Sequence, residues 1–254
     1  MTLEEKSYIF GLLGTDGNLS LYERNRGKIS LEVQIKDRDI CEKLFSLIPD
    51  SSISERERDT NFKQGYHSII FTNHQLSFRQ MLLDYGFPEK DKTNNFTVPN
   101  SEYSERDFWR GVIDGDGSLG FCQDGSPFLS LTTKSENLKE EYCKLLLKFG
   151  IEKNINRNKR DNVYNIMIKN EDALNVIHYL YDNCELYLER KYQKALETYG
   201  WVRTKPKAAP RKKWTPEQDE YILSHTIEES MKHLDRTKNS IEMRLYRLRQ
   251  SNNN

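Results

Sequence analysis

Residues 108–121 read "FWRGVIDGDGSLGF". An apolar, helix-like run ends there on two aspartates, Asp114 and Asp116, with a glycine between them. Each glycine weakens a helix by about 1 kcal/mol relative to alanine. A carboxylate at a helix C-terminus also faces the negative end of the macrodipole. Breaking two local rules at once marks a place where chemistry outranks stability. Carboxylates so placed bind hard cations such as Mg²⁺, and cations held by paired carboxylates can support in-line displacement at phosphorus. An EF-hand loop at 114–125 is excluded, because its sixth position is Leu119 instead of Gly and its twelfth is Gly125 instead of Glu. The five histidines are scattered with no HExxH, which argues against a zinc hydrolase.

The motif occurs twice. "IFGLLGTDGNL" at 9–19 matches "WRGVIDGDGSL" at 109–119. Gly11, Leu13, Asp16, Gly17 and Leu19 recur as Gly111, Ile113, Asp116, Gly117 and Leu119. Each copy is followed by alternating stretches around a Gly-bearing turn, "RNRG" or "QDGS", which read as β-hairpins. A helical pattern follows each, with Ser135 as N-cap of the second and Leu138, Tyr142, Leu145 and Leu146 on its apolar face. The order αββαββα, twice, predicts an α+β fold with two pseudo-symmetric halves joined near 87–103. Gly111 and Gly115 share a helix face, as do Gly11 and Thr15, and small residues at that spacing let two helices approach closely. If the two motif helices pack together, Asp16 and Asp116 meet. A divalent cation would relieve their repulsion.

The strands describe a polar outer face. Lys28, Gln34 and Lys36 alternate with Ile29, Val33 and Ile35, and Arg56 and Arg58 alternate with Glu55 and Glu57. At 152–158, Asn154, Asn156 and Asn158 would share a strand face. One wet face of an antiparallel sheet explains such alternation. Arg and Lys suit guanine and Asn and Gln suit adenine in the major groove, so this face, with Arg24 in the first turn, is a candidate DNA surface.

These two copies resemble the LAGLIDADG homing endonuclease motif in its single-chain, two-motif form, over roughly residues 1–200. The resemblance implies a site-specific endonuclease that makes a double-strand break in a long DNA target, with a saddle-shaped antiparallel sheet in the major groove and Mg²⁺ as cofactor. It implies that Asp16 and Asp116 bind metal and that Asp114 is mainly structural. The first copy departs at Gly14. It further implies catalytic roles for the lysines after each first hairpin, Lys36 and Lys134, and for Lys191 and its first-half counterpart Lys92. The family often places a polar residue before the post-hairpin lysine. Here those positions hold Ile35 and Thr133, so the two strands could be cut unequally. The alternative on the same fold is an intron maturase or DNA-binding regulator without cleavage, and RNA is a partner only under that reading.

The C-terminal stretch reads as three short helices, capped by Thr215 with Pro216 at the first helical position, spanning 227–234, and capped by Thr237. It resembles a Myb/SANT-like helix-turn-helix, with Trp214 as core and Lys238, Asn239, Arg244 and Arg247 as candidate DNA contacts. Residues 203–254 hold 12 basic and 7 acidic residues, a net +5, against −5 for the rest of a chain that is neutral overall. "RTKPKAAPRKK" at 203–213 reads as an extended basic linker. The expected organisation is thus a first half at 1–90, a second at 91–202, the linker at 203–213 and a small all-α trihelical domain at 214–250. Four cysteines without CxxC spacing, no long apolar run and an acidic N-terminus lead to the expectation of a cytoplasmic monomer that avoids membranes.

Overall fold

Thr2 opens the first helix, α1 (Leu3–Asp16). Its hydroxyl accepts from the Glu5 N–H while the Glu5 carboxylate accepts from the Thr2 N–H, which satisfies two of the helix's orphan donors. The computed structural model describes residues 1–59, 64–204 and 213–251, in two units, Met1–Arg203 and Thr204–Asn254. In the first unit α1 is followed by β1 (Gly17–Leu21), β2 (Gly27–Gln34), a 3-10 turn (Ile35–Asp37), α2 (Arg38–Leu47), β3 (Ser51–Arg58), β4 (Tyr66–Asn73), α3 (Leu76–Asp84) and α4 (Lys92–Asn95). The order then repeats as α5 (Glu105–Asp116), β5 (Gly117–Phe121), β6 (Pro127–Thr133), α6 (Glu136–Lys148), β7 (Tyr164–Lys169), α7 (Asn170–Tyr181) and α8 (Glu189–Tyr199).

Strands β1, β2, β4 and β3 form one antiparallel sheet in that order, and β5, β6 and β7 form a second. The register repeats: Gly17 faces Leu31 in the first sheet and Gly117 faces Leu131 in the second. Ile29, Leu31, Ile69 and Phe71 fill the inner face of the first, and Leu129, Leu131, Ile166 and Ile168 that of the second.

The second sheet lacks the strand expected at 152–158. Residues 151–158 join no ladder. Asn is a poor strand former, and here its side chain competes for backbone partners. Asn158 accepts from the Asp161 N–H through its side chain and pairs with Val163 through its own N–H, so it closes a turn. Asn154 and Asn156 are exposed without strand pairing. The stretch expected as a linker, 87–103, contributes α4 and the buried Phe87 and Phe96.

Motif helices α1 and α5 lie against each other at the centre. Residues Ser7–Gly14 and Asp107–Asp114 are all buried; that stretch of α1 is almost wholly apolar, whereas α5 also buries Asp107, Arg110 and Asp114, each of them hydrogen-bonded. A Cβ at Gly11 would stand 2.3 Å from the Phe108 carbonyl oxygen, and one at Gly111 would stand 2.2 Å from that of Tyr8. Only glycine permits this reciprocal approach. At Gly115 the Cβ position is filled by the Thr15 hydroxyl.

The second unit holds α9 (Pro216–Ser224), α10 (Ile227–Leu234) and α11 (Lys238–Ser251). Thr215, Thr226 and Thr237 hydroxyls accept from the Gln218, Glu229 and Ser240 N–H groups. Ile222 and Ile241 are its buried apolar centre. Trp214 is only half-buried and lies beneath the Arg236 guanidinium, 4.0 Å from its ring centroid. The basic linker falls mostly on 205–212, outside the described residues. Among the described residues no helix is long and apolar enough to cross a membrane, and the four cysteines are unpaired.

Candidate active site

The helix ends that carry the aspartates have no basic residue of their own in the last turn. Two lysines distant in sequence supply the cation. Lys191, 5% exposed, directs its ammonium at the carbonyls of Ile113 (2.6 Å), Asp114 (2.6 Å), Gly115 (3.0 Å) and Gly117 (2.9 Å). Lys92 does the same for Leu13 (3.5 Å), Thr15 (2.5 Å) and Gly17 (2.6 Å). Positive charge on the last carbonyls of a helix complements its dipole. Thus α4 stands to α1 as α8 stands to α5.

The aspartate side chains sit just beyond these caps. A Cβ at Gly115 would be 3.4 Å from the Asp16 Oδ2, so the first helix's carboxylate lies beside the second helix's end. Both aspartates are exposed at the helix ends, yet protein packed around each carboxylate raises its pKa. Burial pushes Asp116 up to about 6, the Asp16 charge adds to this, and Lys92 and then Lys191 oppose it. Asp16 is raised first by burial, opposed by Lys191 and then Lys92, with Asp37 adding. Burial lowers Lys92, opposed by Asp116 and then Asp16. Lys191 is lowered to about 8, again first by burial, with Asp114 the strongest opposing charge and Asp16 acting ahead of Asp116. Each lysine therefore caps its own half's helix but acts most strongly, of the two outer aspartates, on the opposite half's. A cleft of about 250 Å³ brings together Thr15, Lys92, Asp116, Thr133 and Lys134 in the same crosswise sense.

Asp114 is isolated from this pair. Its carboxylate accepts from the Tyr8 hydroxyl (2.7 Å), the Tyr181 hydroxyl (2.6 Å) and the Leu188 N–H (2.8 Å). Burial raises its pKa while those bonds and Lys191 oppose the rise. In the first half a Cβ at Gly14 would fall 1.8 Å from the Phe96 ring. An aromatic cluster of Phe10, Phe87, Phe96 and Phe108 takes the place of the polar network. Gly14 is therefore compensated by packing.

The other expected residues fall in three places. Lys36 lies in the 3-10 turn and Lys134 just after β6, both exposed. Ile35 packs against the core, and the Thr133 hydroxyl accepts from the Ser135 N–H. Lys28, Gln34, Arg56 and Arg58 share the outer face of the first sheet, where Arg58 pairs with Glu32 at 3.2 Å. Arg24 sits exposed at the hairpin tip with φ 57°, and the buried Arg79 holds that turn through the carbonyls of Asn25 and Gly27. In the second unit Lys238, Asn239 and Arg247 are exposed on α11. Arg244 is not available as expected: Asp219 holds it in a bidentate pair at 2.8 and 2.5 Å. That makes it a brace between α9 and α11.

Two features escaped the sequence. Asp37, buried, receives two bonds from Arg190 at 2.8 and 3.0 Å, beside Asp16. The matching positions at the other site are Ser135 and Asp91, so the two sites differ in charge. The outer face of β7 was also missed, although Asn165, Met167 and Lys169 alternate with Tyr164, Ile166 and Ile168. A larger groove of about 720 Å³ runs along α6 and 151–155. Its lining mixes Glu140 and Glu152 with Lys139, Lys144 and Lys153 and includes neither motif aspartate, and a duplex is read across a face instead of within a pocket.

Among the described residues no cluster of three or more His, Cys, Asp or Glu gathers to hold a metal. Two neighbouring carboxylates are nevertheless a hard-oxygen donor set, which fits a divalent cation whose other ligands come from water or substrate.

No curated protein sequence matches the chain. Residues 104–197 match the family profile of the LAGLIDADG-like domain. Among solved structures, the homing endonuclease I-WcaI bound to its DNA recognition sequence superposes with a TM-score of 0.58 at 14% identity, over 76% of this chain and 86% of that one. The LAGLIDADG meganuclease I-AabMI bound to uncleaved DNA gives 0.53 at 11% identity, over 76% and 90%. The mixed α+β architecture with antiparallel sheets is thus the fold of LAGLIDADG homing endonucleases.

Proposed function

We propose that this protein is a site-specific DNA endonuclease that hydrolyses one phosphodiester in each strand of a long duplex target. The observation that carries this reading is the meeting of Asp16 and Asp116 at the ends of two helices packed through reciprocal glycines. No structural requirement of the helices calls for a carboxylate there. The two sheets would lie along the major groove as a saddle, with Lys28, Gln34, Arg56 and Arg58 toward base edges and phosphates.

Asp16 and Asp116 would hold the divalent cation, with Mg²⁺ the expected ion. When bound, it neutralises charge developing on the phosphate and lowers the pKa of attacking water. The chain's own residues do the rest. Lys92 and Lys191 fix the helix ends, and so fix the carboxylates. Lys36 and Lys134, exposed beside the two sites, offer ammonium groups to the scissile phosphates. The Thr204–Asn254 unit adds a second DNA contact through Lys238, Asn239 and Arg247, tethered by the basic segment at 203–213, and tethering raises its effective concentration. The protein acts as a monomer, because both halves of the site reside in one chain.

The test is nicking and double-strand cleavage of a selected target with Mg²⁺. Asp16→Asn and Asp116→Asn are expected to lose about a hundredfold or more in rate, the equivalent of roughly 3 kcal/mol. If both variants cut like the parent, the assignment of the site is wrong. Deleting 204–254 is expected to weaken DNA binding and flatten its salt dependence.

A further inference from the structure

The outer faces of the two sheets carry different chemistry. On the first, Lys28, Glu32 and Gln34 of β2, Ile70 and Thr72 of β4 and Arg56 and Arg58 of β3 share the outer face; Arg58 pairs with Glu32, and Arg56 makes no ion pair among the described residues. On the second, Phe128, Ser130 and Thr132 of β6 face outward beside Lys169, Met167 and Asn165 of β7. Met167 is 37% exposed. That face has no arginine and no acid. The inner faces, by contrast, are equivalent, both filled by aliphatic and aromatic side chains. The division is therefore confined to the surface that would meet a ligand.

Base edges in the major groove differ in the same way. Arginine and lysine donate to the O6 and N7 of guanine. Asparagine and glutamine pair with the N6 and N7 of adenine, so on the first face the guanine readers are Arg56, Arg58 and Lys28 and not Gln34. Apolar groups such as a threonine methyl or a phenyl ring contact the thymine methyl. We infer that the target is chemically polar along its length: a half-site read at G·C pairs lies under β1–β4, and a half-site read at A·T pairs lies under β5–β7, with Phe128, Thr132 and Met167 sensing thymine methyls. Asn165, opposite Thr132 in the ladder, supplies the adenine contact. The exposed Asn154 and Asn156, in the unpaired segment that precedes β7, add amides of the same preference. This inference rests on the endonuclease reading and deepens it.

The experiment is selection of bound duplexes from a random library by the full-length protein without divalent cation, repeated with Arg56→Ala and with Met167→Ser. Both side chains point outward, so unchanged melting temperatures verify that the variants fold. The enriched motif is expected to hold G·C pairs in one half, which relax in Arg56→Ala, and A·T pairs in the other, which relax in Met167→Ser. Replacing thymine by deoxyuracil in the A·T half should weaken binding about fourfold for each methyl that is buried. The same replacement in the G·C half should change nothing. An enriched motif in which both halves prefer G·C, or one indifferent to deoxyuracil throughout, overturns the inference and leaves the DNA reading intact. If no sequence is enriched and binding does not depend on salt, the endonuclease reading itself fails.

Discussion

The ammonium of Lys191 lies 2.9 Å from the carbonyl oxygen of Gly117, seventy-four residues earlier in the chain, and holds three further carbonyls of the same helix end. Replacing it by methionine keeps the volume but removes the ammonium from four carbonyls at the helix end, of which Ile113 keeps the Gly117 N–H as a second donor. Lys191→Met is expected to cost about 2–4 kcal/mol of stability, read by thermal or denaturant unfolding. Lys92→Met should cost less, because Lys92 is less buried and holds fewer carbonyls. A lysine that acted only on phosphate would leave unfolding unchanged.

The glycines at the helix crossing give a second prediction. Gly11→Ala and Gly111→Ala each drive a methyl into a facing carbonyl, at 2.3 and 2.2 Å. Overpacking of this kind costs about 1–3 kcal/mol or more. Both variants should melt well below the parent and lose cleavage, since the carboxylates separate with the helices. Gly200→Ala is the control. Nothing lies within 4 Å of its Cβ position, and its melting temperature should match the parent's.

Asp116 predicts a pH dependence. Its carboxyl titrates at about 6 in the folded chain against 3.8 as reference. Between those values the folded state binds the extra proton, so this contribution to stability is full below 3.8 and is lost as pH rises through 6. In metal-free protein, Asp116→Asn should therefore melt above the parent at pH 7.5 and converge with it near pH 4. A variant that remains less stable than the parent at both pH values would contradict the assignment.

The same titration governs cation uptake. Binding of Mg²⁺, measured by calorimetry on the DNA-free protein, should tighten from pH 5.5 to 7.5 as Asp116 loses its proton. Asp16→Asn should weaken that binding. Asp114→Asn should not remove it, because Asp114 is already occupied by Tyr8, Tyr181 and Leu188.

Local rules carried much of this molecule. The caps at Ser135, Thr215 and Thr237 are short-range hydrogen bonds, so their residue types announce them. The glycine spacing announced the helix pairing because close approach has few chemical solutions. The strand expected at 152–158 failed for a physical reason. Alternation alone does not supply a partner, and Asn158 and Arg157 satisfy nearby backbone groups instead. Residues whose role depends on a distant segment were the least legible. Nothing local marks Asp37 as the partner of Arg190, or Arg244 as the partner of Asp219. Likewise Phe96, in a stretch that reads as linker, fills the space beside Gly14.

The crosswise placement of the lysines has a consequence for anyone recombining such proteins. With α4 and its Lys92 counted in the first half, which moves the expected boundary at 90/91, residues 1–96 and 97–203 look like interchangeable modules, since each carries a hairpin, a motif helix and a capping lysine. Yet, on the endonuclease reading, grafting a foreign second half would alter the surroundings of both aspartates at once, because Lys191 and Arg190 serve the Asp16 side while Lys92 and Thr15 serve the Asp116 side. If the chain cuts as proposed, a nickase would not be made from it by discarding a half. It has to be made by a point change that spares the shared scaffold. On that reading, chimeras must keep each aspartate with the opposite half's lysine that acts on it, or cleavage of both strands would be lost together.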